Sequence, residues 1–311
     1  MCIRDSSKII NKPCKLISHL ESDEIFDGKT DIQLLENIRF FKGEKENCQD
    51  LGKKLAGLGD IYVFDAFGTA HREQASTHSA INSAAKACAG LLLERETEFL
   101  SKTLNNYDHP YIAAIGGAKV STKLELIKHI NSVADQIIVG GGIANTFLKA
   151  SGLKIGKSLV EDSMLDIAKD LLVQGKIVLP NVIITSKTFE GEDIRETSAK
   201  DVKDEEMILD LHLSDEILTS LNRAKTILWN GPMGVFENKF FSKGTKDLSI
   251  AIANSSAFSI AGGGETLSAI NKYIKSDDVS YCSTGGGAFL EFMEGKNLPS
   301  IDVLNSKEIG S

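Results

Sequence analysis

The chain has 311 residues, 42% apolar and 25% charged, with a net charge of −8 and a pI of about 5.4. This is an ordinary globular balance in a chain long enough for two domains, and its acidity argues against a general nucleic-acid-binding role. No apolar stretch reaches bilayer-spanning length, and Met1 to Ser7 lacks the apolar core of a signal peptide, so a cytoplasmic chain with no membrane partner is expected.

The five cysteines, Cys2, Cys14, Cys48, Cys88 and Cys282, form no Cys-x-x-Cys pair and have no metal-ligand spacing with histidines. They read as reduced thiols. The first 30 residues give no clear βα unit, only a short apolar piece at Lys15-Leu16-Ile17 and a polar, turn-like run from Glu21 to Lys29. His19 reads as a surface or structural histidine. An apolar strand with a charge near its end is expected over Ile32 to Phe40, followed by a solvated loop from Lys42 to Asn47. Leu51, Leu55 and Leu58 lie at i, i+4 and i+7, which predicts an amphipathic helix over 48–58. Ile61 to Gly68 is another buried strand. Arg39 and Arg72 each stand just beyond a strand, where open α/β sheets receive ligands and where a guanidinium suits phosphate or carboxylate. A strong helix is predicted over 91–105, closed by a polar turn and Pro110, and the domain boundary is placed within it.

From residue 111 onward one phrase repeats. An apolar run of strand length ends in glycines, and helix-forming sequence follows. The copies end at Gly116-Gly117, Gly140-Gly141-Gly142, Asn230-Gly231-Pro232, Gly262-Gly263-Gly264 and Gly285-Gly286-Gly287. Each predicts a βα unit. Helix starts favour anions, so five such turns at one end of a parallel sheet would line a single crevice for a phosphate-rich ligand. Between them, 164–172 and 214–224 are expected as helices, the second capped by Ser214, and 177–184 as strand pieces. Lys187 to Glu206 reads as polar and irregular.

Two familiar motifs fail. Gly156-Lys157-Ser158 ends like a P-loop, but Ser151 occupies the place of its first glycine and helical sequence precedes it. The dinucleotide fingerprint lacks its third glycine at Asn145, Leu267 and Leu290, which disfavours a dehydrogenase. Lys119 and Lys123 are four apart. A helix starting at Gly116 to Ala118 would present both ammonium groups on one face, towards a phosphate in the glycine turn. Glu237 is placed to accept from ribose hydroxyls. Glu265, at a helix start, caps the dipole or holds Mg²⁺ bound to phosphates.

These residues resemble phosphoglycerate kinase. The resemblance rests on Leu-Leu-Glu-Asn-Ile-Arg-Phe (34–40), Asp-Ala-Phe-Gly-Thr-Ala-His-Arg (65–72) and Gly-Gly-Ala-Lys-Val-Ser-Thr-Lys (116–123). It continues through Ile-Val-Gly-Gly-Gly-Ile-Ala-Asn-Thr-Phe (138–147), Leu-Trp-Asn-Gly-Pro-Met-Gly-Val-Phe-Glu (228–237) and Ser-Thr-Gly-Gly-Gly-Ala (283–288). The family fold is α/β, with two doubly wound, Rossmann-like parallel-sheet domains joined by a hinge helix. It implies phosphoryl transfer between ATP and the carboxylate of 3-phosphoglycerate, with Mg²⁺ carried by ATP or ADP, in a monomer whose domains close to exclude water.

The implied division is 1–95 for 3-phosphoglycerate, 96–290 for nucleotide, and 291–311 returning to the first domain. By resemblance, Arg39 and Arg72 bind the glycerate phosphate. Lys119, Lys123, Gly140, Gly141, Asn230, Glu237, Gly263, Gly264, Glu265 and Thr266 bind nucleotide, with Glu265 the metal ligand. Lys123, Gly264 and Arg39 form the catalytic set. Glu265 stands where the family carries aspartate. The family's Asp-Phe-Asn-Val-Pro and His-Leu-Gly-Arg-Pro motifs are absent, and Ser18-His19-Leu20 is a coincidental match to the second. The first domain is therefore expected to be incomplete, residues 1–7 to be foreign sequence joined to a fragment, and activity to be impaired. The alternative is a catalytically inactive nucleotide-binding module.

Overall fold

A computed structural model describes residues 3–20, 25 and 31–308. The run Glu21 to Lys29, expected as a polar turn, lies outside the described residues apart from Ile25. The chain divides into two compact units, residues 1–94 with 297–311, and residues 95–296.

The first unit begins with a helix, α1 (Ile3–Ile10). Two parallel strand pairs follow. β1 (Cys14–Ile17) pairs with β2 (Ile32–Leu35), and β3 (Tyr62–Phe64) with β4 (Ala87–Ala89). The strand expected over 32–40 stops at Leu35. Asn37 accepts from the backbone N–H of Arg39 at 3.1 Å and caps a 3₁₀ turn at Ile38–Phe40. α2 (Gln49–Ala56) buries Leu51 and Leu55, as their spacing predicts, against Ala75 and Ala80; Ala80 opens α3 (Ala80–Ser83). α12 (Pro299–Glu308) belongs to this unit: Ser300 Oγ donates to the Thr77 carbonyl at 2.7 Å and Ser300 N to Ala70 at 3.2 Å.

α4 (Leu91–Leu104) carries the chain across the division between the units. The second unit is built on six parallel strands. They are β5 (Tyr111–Ile115), β6 (Gln136–Val139), β7 (Ile177–Val178), β11 (Thr226–Asn230), β12 (Phe258–Gly262) and β13 (Tyr281–Ser283). Their order in space is β13-β12-β11-β5-β6-β7. The chain thus starts in the middle, winds outward to β7, returns to β11 and winds outward the other way. This is the doubly wound arrangement, with its switch point between β5 and β11. Every residue of those two strands is buried, as expected where helices cover both faces.

The covering helices are α5 (Leu124–Val133), α6 (Gly141–Ala150), α7 (Leu165–Val173), α8 (Asp215–Arg223), α9 (Lys243–Ala253), α10 (Gly264–Tyr273) and α11 (Gly287–Met293). Ser214 caps α8 as its sequence indicates, accepting from Ile217 N at 3.3 Å. On one face of the sheet the core joins Trp229 to Leu148, Leu248 and Ile270, from α6, α9 and α10.

One expectation fails here. The polar stretch 187–206 contains a strand, β9 (Arg195–Ser198), antiparallel to β8 (Val182–Ser186), which also pairs with β10 (Met207–Leu211). Arg-Glu-Thr-Ser has no apolar alternation. It is held instead by the Arg195 guanidinium, whose Nε and Nη2 donate to the carboxylate of buried Glu206 at 2.8 and 2.7 Å. That pair draws the Glu206 carboxyl down to about 2.

Candidate functional site

The ends of β5, β6 and β11 meet at the switch point, and their turns pack on one another. Gly116 N donates to the Asn230 carbonyl at 3.0 Å, and Gly141 N to the Met233 carbonyl at 2.8 Å. The packing is tight enough that a Cβ on Gly116 would lie 1.8 Å from the Pro232 carbonyl oxygen. At this junction lies a cavity of about 250 Å³. Leu159, Phe189, Met207, Leu209 and Val235 make one side of it apolar; Glu237 and Glu265 bring carboxylates, and Gly117 and Gly141 bring bare backbone. Both carboxylates are exposed.

α10 supplies the anion-seeking end. Its first intrahelical bond is Leu267 N to the Gly263 carbonyl at 3.0 Å, so the N–H groups of Gly264, Glu265 and Thr266 precede the hydrogen-bonded ladder. Gly263 takes φ +95° at the cap, and a Cβ on Gly264 would meet nothing within 4 Å.

Lys123 departs from the expected geometry. α5 begins only at Leu124, so Lys119 and Lys123 lie in an irregular turn rather than on one helix face. Val120 is buried and accepts from Lys123 N at 2.9 Å, while Ser121 binds Glu161, N to Oε2 at 2.8 Å. These contacts fold the segment back before it can turn helical. Lys119 is exposed. Lys123 turns inward, and its Nζ donates to the Gly116 carbonyl at 2.6 Å and the Asn230 carbonyl at 3.0 Å. Burial lowers its pKa to about 8, against the opposing pull of the Glu265 carboxylate.

Asn230 and Thr266 are both buried. Asn230 Nδ2 donates to the Gly262 carbonyl at 2.7 Å. Thr266 Oγ1 accepts from Gly231 N at 2.8 Å and donates to the Gly262 carbonyl at 2.7 Å. Their side chains tie the ends of β11 and β12 together, leaving the Thr266 backbone N–H as its group at the helix start. Gly140 caps α6 through its backbone and packs on Met233. Gly156-Lys157-Ser158 follows helix α6 rather than a strand, which disposes of the P-loop. In the first unit, Arg39 follows β2 and is exposed, and Arg72 follows β3 and is half-buried, with Nε 3.4 Å from His71 Nε2.

Phe189, Met207 and Leu209 carry no sequence signal as cavity walls. Phe189 sits in a stretch dominated by polar residues, and Met207, Ile208 and Leu209 are a plain apolar run in sequence, though the register shifts between Ile208 and Asp210 and all three line the cavity. Buried Glu96 on α4 carries no sequence signal either; it accepts from Ser283 Oγ at 2.8 Å and from Thr284 N and Oγ1 at 2.9 Å each, fixing the turn after β13.

A doubly wound sheet with a buried lysine at its switch point and a free helix start after the neighbouring strand β12 has the anion-binding arrangement of the nucleotide-binding α/β class. The sequence model of the family "Phosphoglycerate kinase" matches residues 6–296. The chain belongs to the phosphoglycerate kinase family and is a phosphoglycerate kinase in function. A phosphoglycerate kinase of Haemophilus influenzae (strain PittGG) is 49% identical over 292 residues, which are 93% of this chain and 75% of that protein. Among solved structures, phosphoglycerate kinase from Coxiella burnetii is similar with a TM-score of 0.90 at 44% identity, covering 98% of this chain and 80% of that one. The Pyrococcus horikoshii OT3 enzyme gives 0.81 at 30% identity, covering 97% and 81%. These likenesses favour the enzyme over an inactive nucleotide-binding module. Among the described residues, no helix is long and apolar enough to cross a membrane.

Proposed function

We propose that the switch-point cavity of the second unit takes ATP or ADP, and that Arg39 and Arg72 of the first unit take the phosphate of 3-phosphoglycerate. The observation that carries the nucleotide assignment is the cavity itself. Its apolar walls suit a base, Glu237 suits ribose hydroxyls, and the start of α10 with Lys123 suits phosphates. Lys119 is assigned to the outer phosphates, and the backbone of Gly140 and Gly141 frames the nucleoside.

The attacking group is the carboxylate of 3-phosphoglycerate, already ionised at neutral pH, so no general base is needed. Catalysis is then positioning and charge stabilisation. Lys123 and the N–H of Gly264 stabilise negative charge on the transferred phosphoryl group, and Arg39 orients the acceptor. Among the described residues no cluster of three His, Cys, Asp or Glu side chains forms a closed metal site. A single exposed carboxylate, Glu265, fits Mg²⁺, which is commonly held by one or two carboxylates together with substrate phosphates and water. When bound, the ion supplies neutralisation of phosphate charge.

An assay of 1,3-bisphosphoglycerate formation, coupled to NADH oxidation, tests the assignment. Glu237→Ala is expected to raise KM for ATP and leave KM for 3-phosphoglycerate unchanged, and Arg72→Ala to do the reverse. Unchanged nucleotide KM in Glu237→Ala overturns the nucleotide assignment.

A further inference from the structure

The corner of the cavity where β10 meets the 231–237 turn is backed by an acid that the reaction does not use. Asp210 is 1% exposed and follows the bulge in β10. Its Oδ2 accepts from Gly244 N, in the first turn of α9, at 3.1 Å. Its Oδ1 is buried with no hydrogen-bond partner. That oxygen lies against two bare glycines: a Cβ on Gly234 would sit 2.3 Å from it, and one on Gly244 2.7 Å from it. The preceding residue, Leu209, accepts from Val235 N at 2.9 Å. Thus one residue contacts three elements. β10 supplies Met207, Ile208 and Leu209 to the cavity wall, and the 231–237 turn supplies Val235 and Glu237. α9 holds the turn from behind, through Thr245 Oγ1, which accepts from Met233 N at 3.0 Å.

A carboxylate left half-unpaired in the interior is costly, and a hydrophobic residue of similar shape would fill the space more cheaply. Its geometry has a use here. The gap between Gly234 and Gly244 admits a flat carboxylate, and the hydrogen bond to α9 fixes its plane. Gly234 and the three residues beyond it, Val235 to Glu237, are thereby set at one depth relative to β10.

We propose that Asp210 is a positioning residue for nucleotide binding, pinning β10, the first turn of α9 and the 231–237 turn so that Val235 and Glu237 stand correctly in the cavity. The proposal rests on the assignment of that cavity to nucleotide. Asp210 acts through Glu237 and Val235, and the reacting phosphoryl group is served by other residues, so its loss falls on nucleotide affinity rather than turnover.

The test measures kcat and both KM values, with MgADP affinity by calorimetry, for wild type, Asp210→Asn, Gly234→Ala, Glu237→Ala and the double variant Asp210→Asn/Glu237→Ala. Asp210→Asn keeps an acceptor for Gly244 N but sets an amide NH₂ in place of the unpartnered oxygen against Gly234, and the resulting shift of the 231–237 turn is expected to weaken MgADP binding about tenfold, with kcat and KM for 3-phosphoglycerate within about twofold. Gly234→Ala crowds the same corner without altering a charge and shows the same pattern, which keeps the test valid if Asp210→Asn does not fold. The double variant loses less affinity than the two single variants added together, because part of the effect of Asp210 runs through Glu237. Wild-type nucleotide affinity in Asp210→Asn and Gly234→Ala, or a fall confined to kcat, overturns the role of Asp210. If Glu237→Ala itself leaves MgADP affinity unchanged, the nucleotide assignment fails instead, and the two failures are distinct.

Discussion

Lys123→Met separates a lysine that serves the reaction from one that serves the fold. The Lys123 ammonium bridges the carbonyls of Gly116 and Asn230, at the ends of the two central strands. Burial brings its pKa from 10.5 to about 8. The native state therefore carries the charged form at a cost of about 3 kcal/mol. Methionine removes that cost and gives up two hydrogen bonds from a charged donor, each contributing about 1.5–3 kcal/mol. The two effects largely offset, so stability at pH 7 is expected to fall by no more than about 3 kcal/mol.

Catalysis has no such offset. With two of its three donors on those carbonyls, Lys123 has one left for the transferring group, and losing that charge-assisted contact costs about 1.5–3 kcal/mol, or roughly 10–100-fold in kcat. The assay is a thermal melt beside the coupled reaction. A melting temperature close to wild type with kcat lowered about 10–100-fold supports the assignment. A kcat within about threefold of wild type and a clearly lowered melting temperature would refute it, leaving Lys123 a structural tie. The pH dependence has a definite sign. The folded pKa is depressed, so between pH 8 and 10.5 the unfolded chain binds more protons than the native one. Wild-type stability relative to Lys123→Met should rise with pH through that window and fall as pH drops through 8.

Gly116→Ala would place a Cβ 1.8 Å from the Pro232 carbonyl and is expected to cost more than about 3 kcal/mol, whereas Gly264→Ala has open space and should cost under about 1 kcal/mol in the same denaturation experiment. Glu265→Gln should raise the Mg²⁺ concentration for half-maximal activity about tenfold while leaving the affinity for metal-free ADP unchanged, both read by titration. Asp210 has its pKa pushed up from 3.8 to about 7 by burial, so its contribution to stability is fully present below pH 4 and lost as pH rises through 7. Asp210→Asn lacks that loss, and urea midpoints at pH 5 and pH 8 should differ between the two proteins by the equivalent of about 3 kcal/mol.

The doubly wound sheet was legible because its determinants are local. Each strand from β5 onward that ends in glycine is a short apolar run that names itself, and all five such strands lie in one parallel sheet. The positions of Glu237 and Glu265 at the cavity followed from the same pattern, since each stands shortly after a glycine turn. What stayed hidden depends on partners far away in the chain. β9 exists because Arg195 meets Glu206, and nothing in Arg-Glu-Thr-Ser announces it. The inward turn of Lys123 depends on where α5 begins, which buried Val120 and distant Glu161 decide. Glu96 and Asp210 look like surface acids until Thr284 and Gly244 are brought beside them.

The glycine turns also had to be divided by what touches them. By pattern alone every one was a place for a phosphate to approach, and the family resemblance divides them: phosphates and magnesium at 116–123 and 262–266, the nucleoside at 140–142 and 230–237, the glycerate lobe opposite 285–287. Around Gly116 the close neighbour is protein: the turn after β5 and the turn after β11 occupy each other's space. That packing brings two carbonyl oxygens, from Gly116 and Asn230, to one point at the sheet's switch point. Two inward carbonyl dipoles present negative charge, which opposes an anion. Lys123 reverses the sign, since its ammonium lies between them, and burial among backbone is what lowers its pKa. The start of α10 has the opposite character, with open space at Gly264 and N–H groups ahead of the helical ladder. A phosphate chain would thus be drawn to α10, and Lys123 is what allows its end to approach the strands. The same lysine that makes the tight turn electrostatically tolerable would then be the one that meets the transferred group.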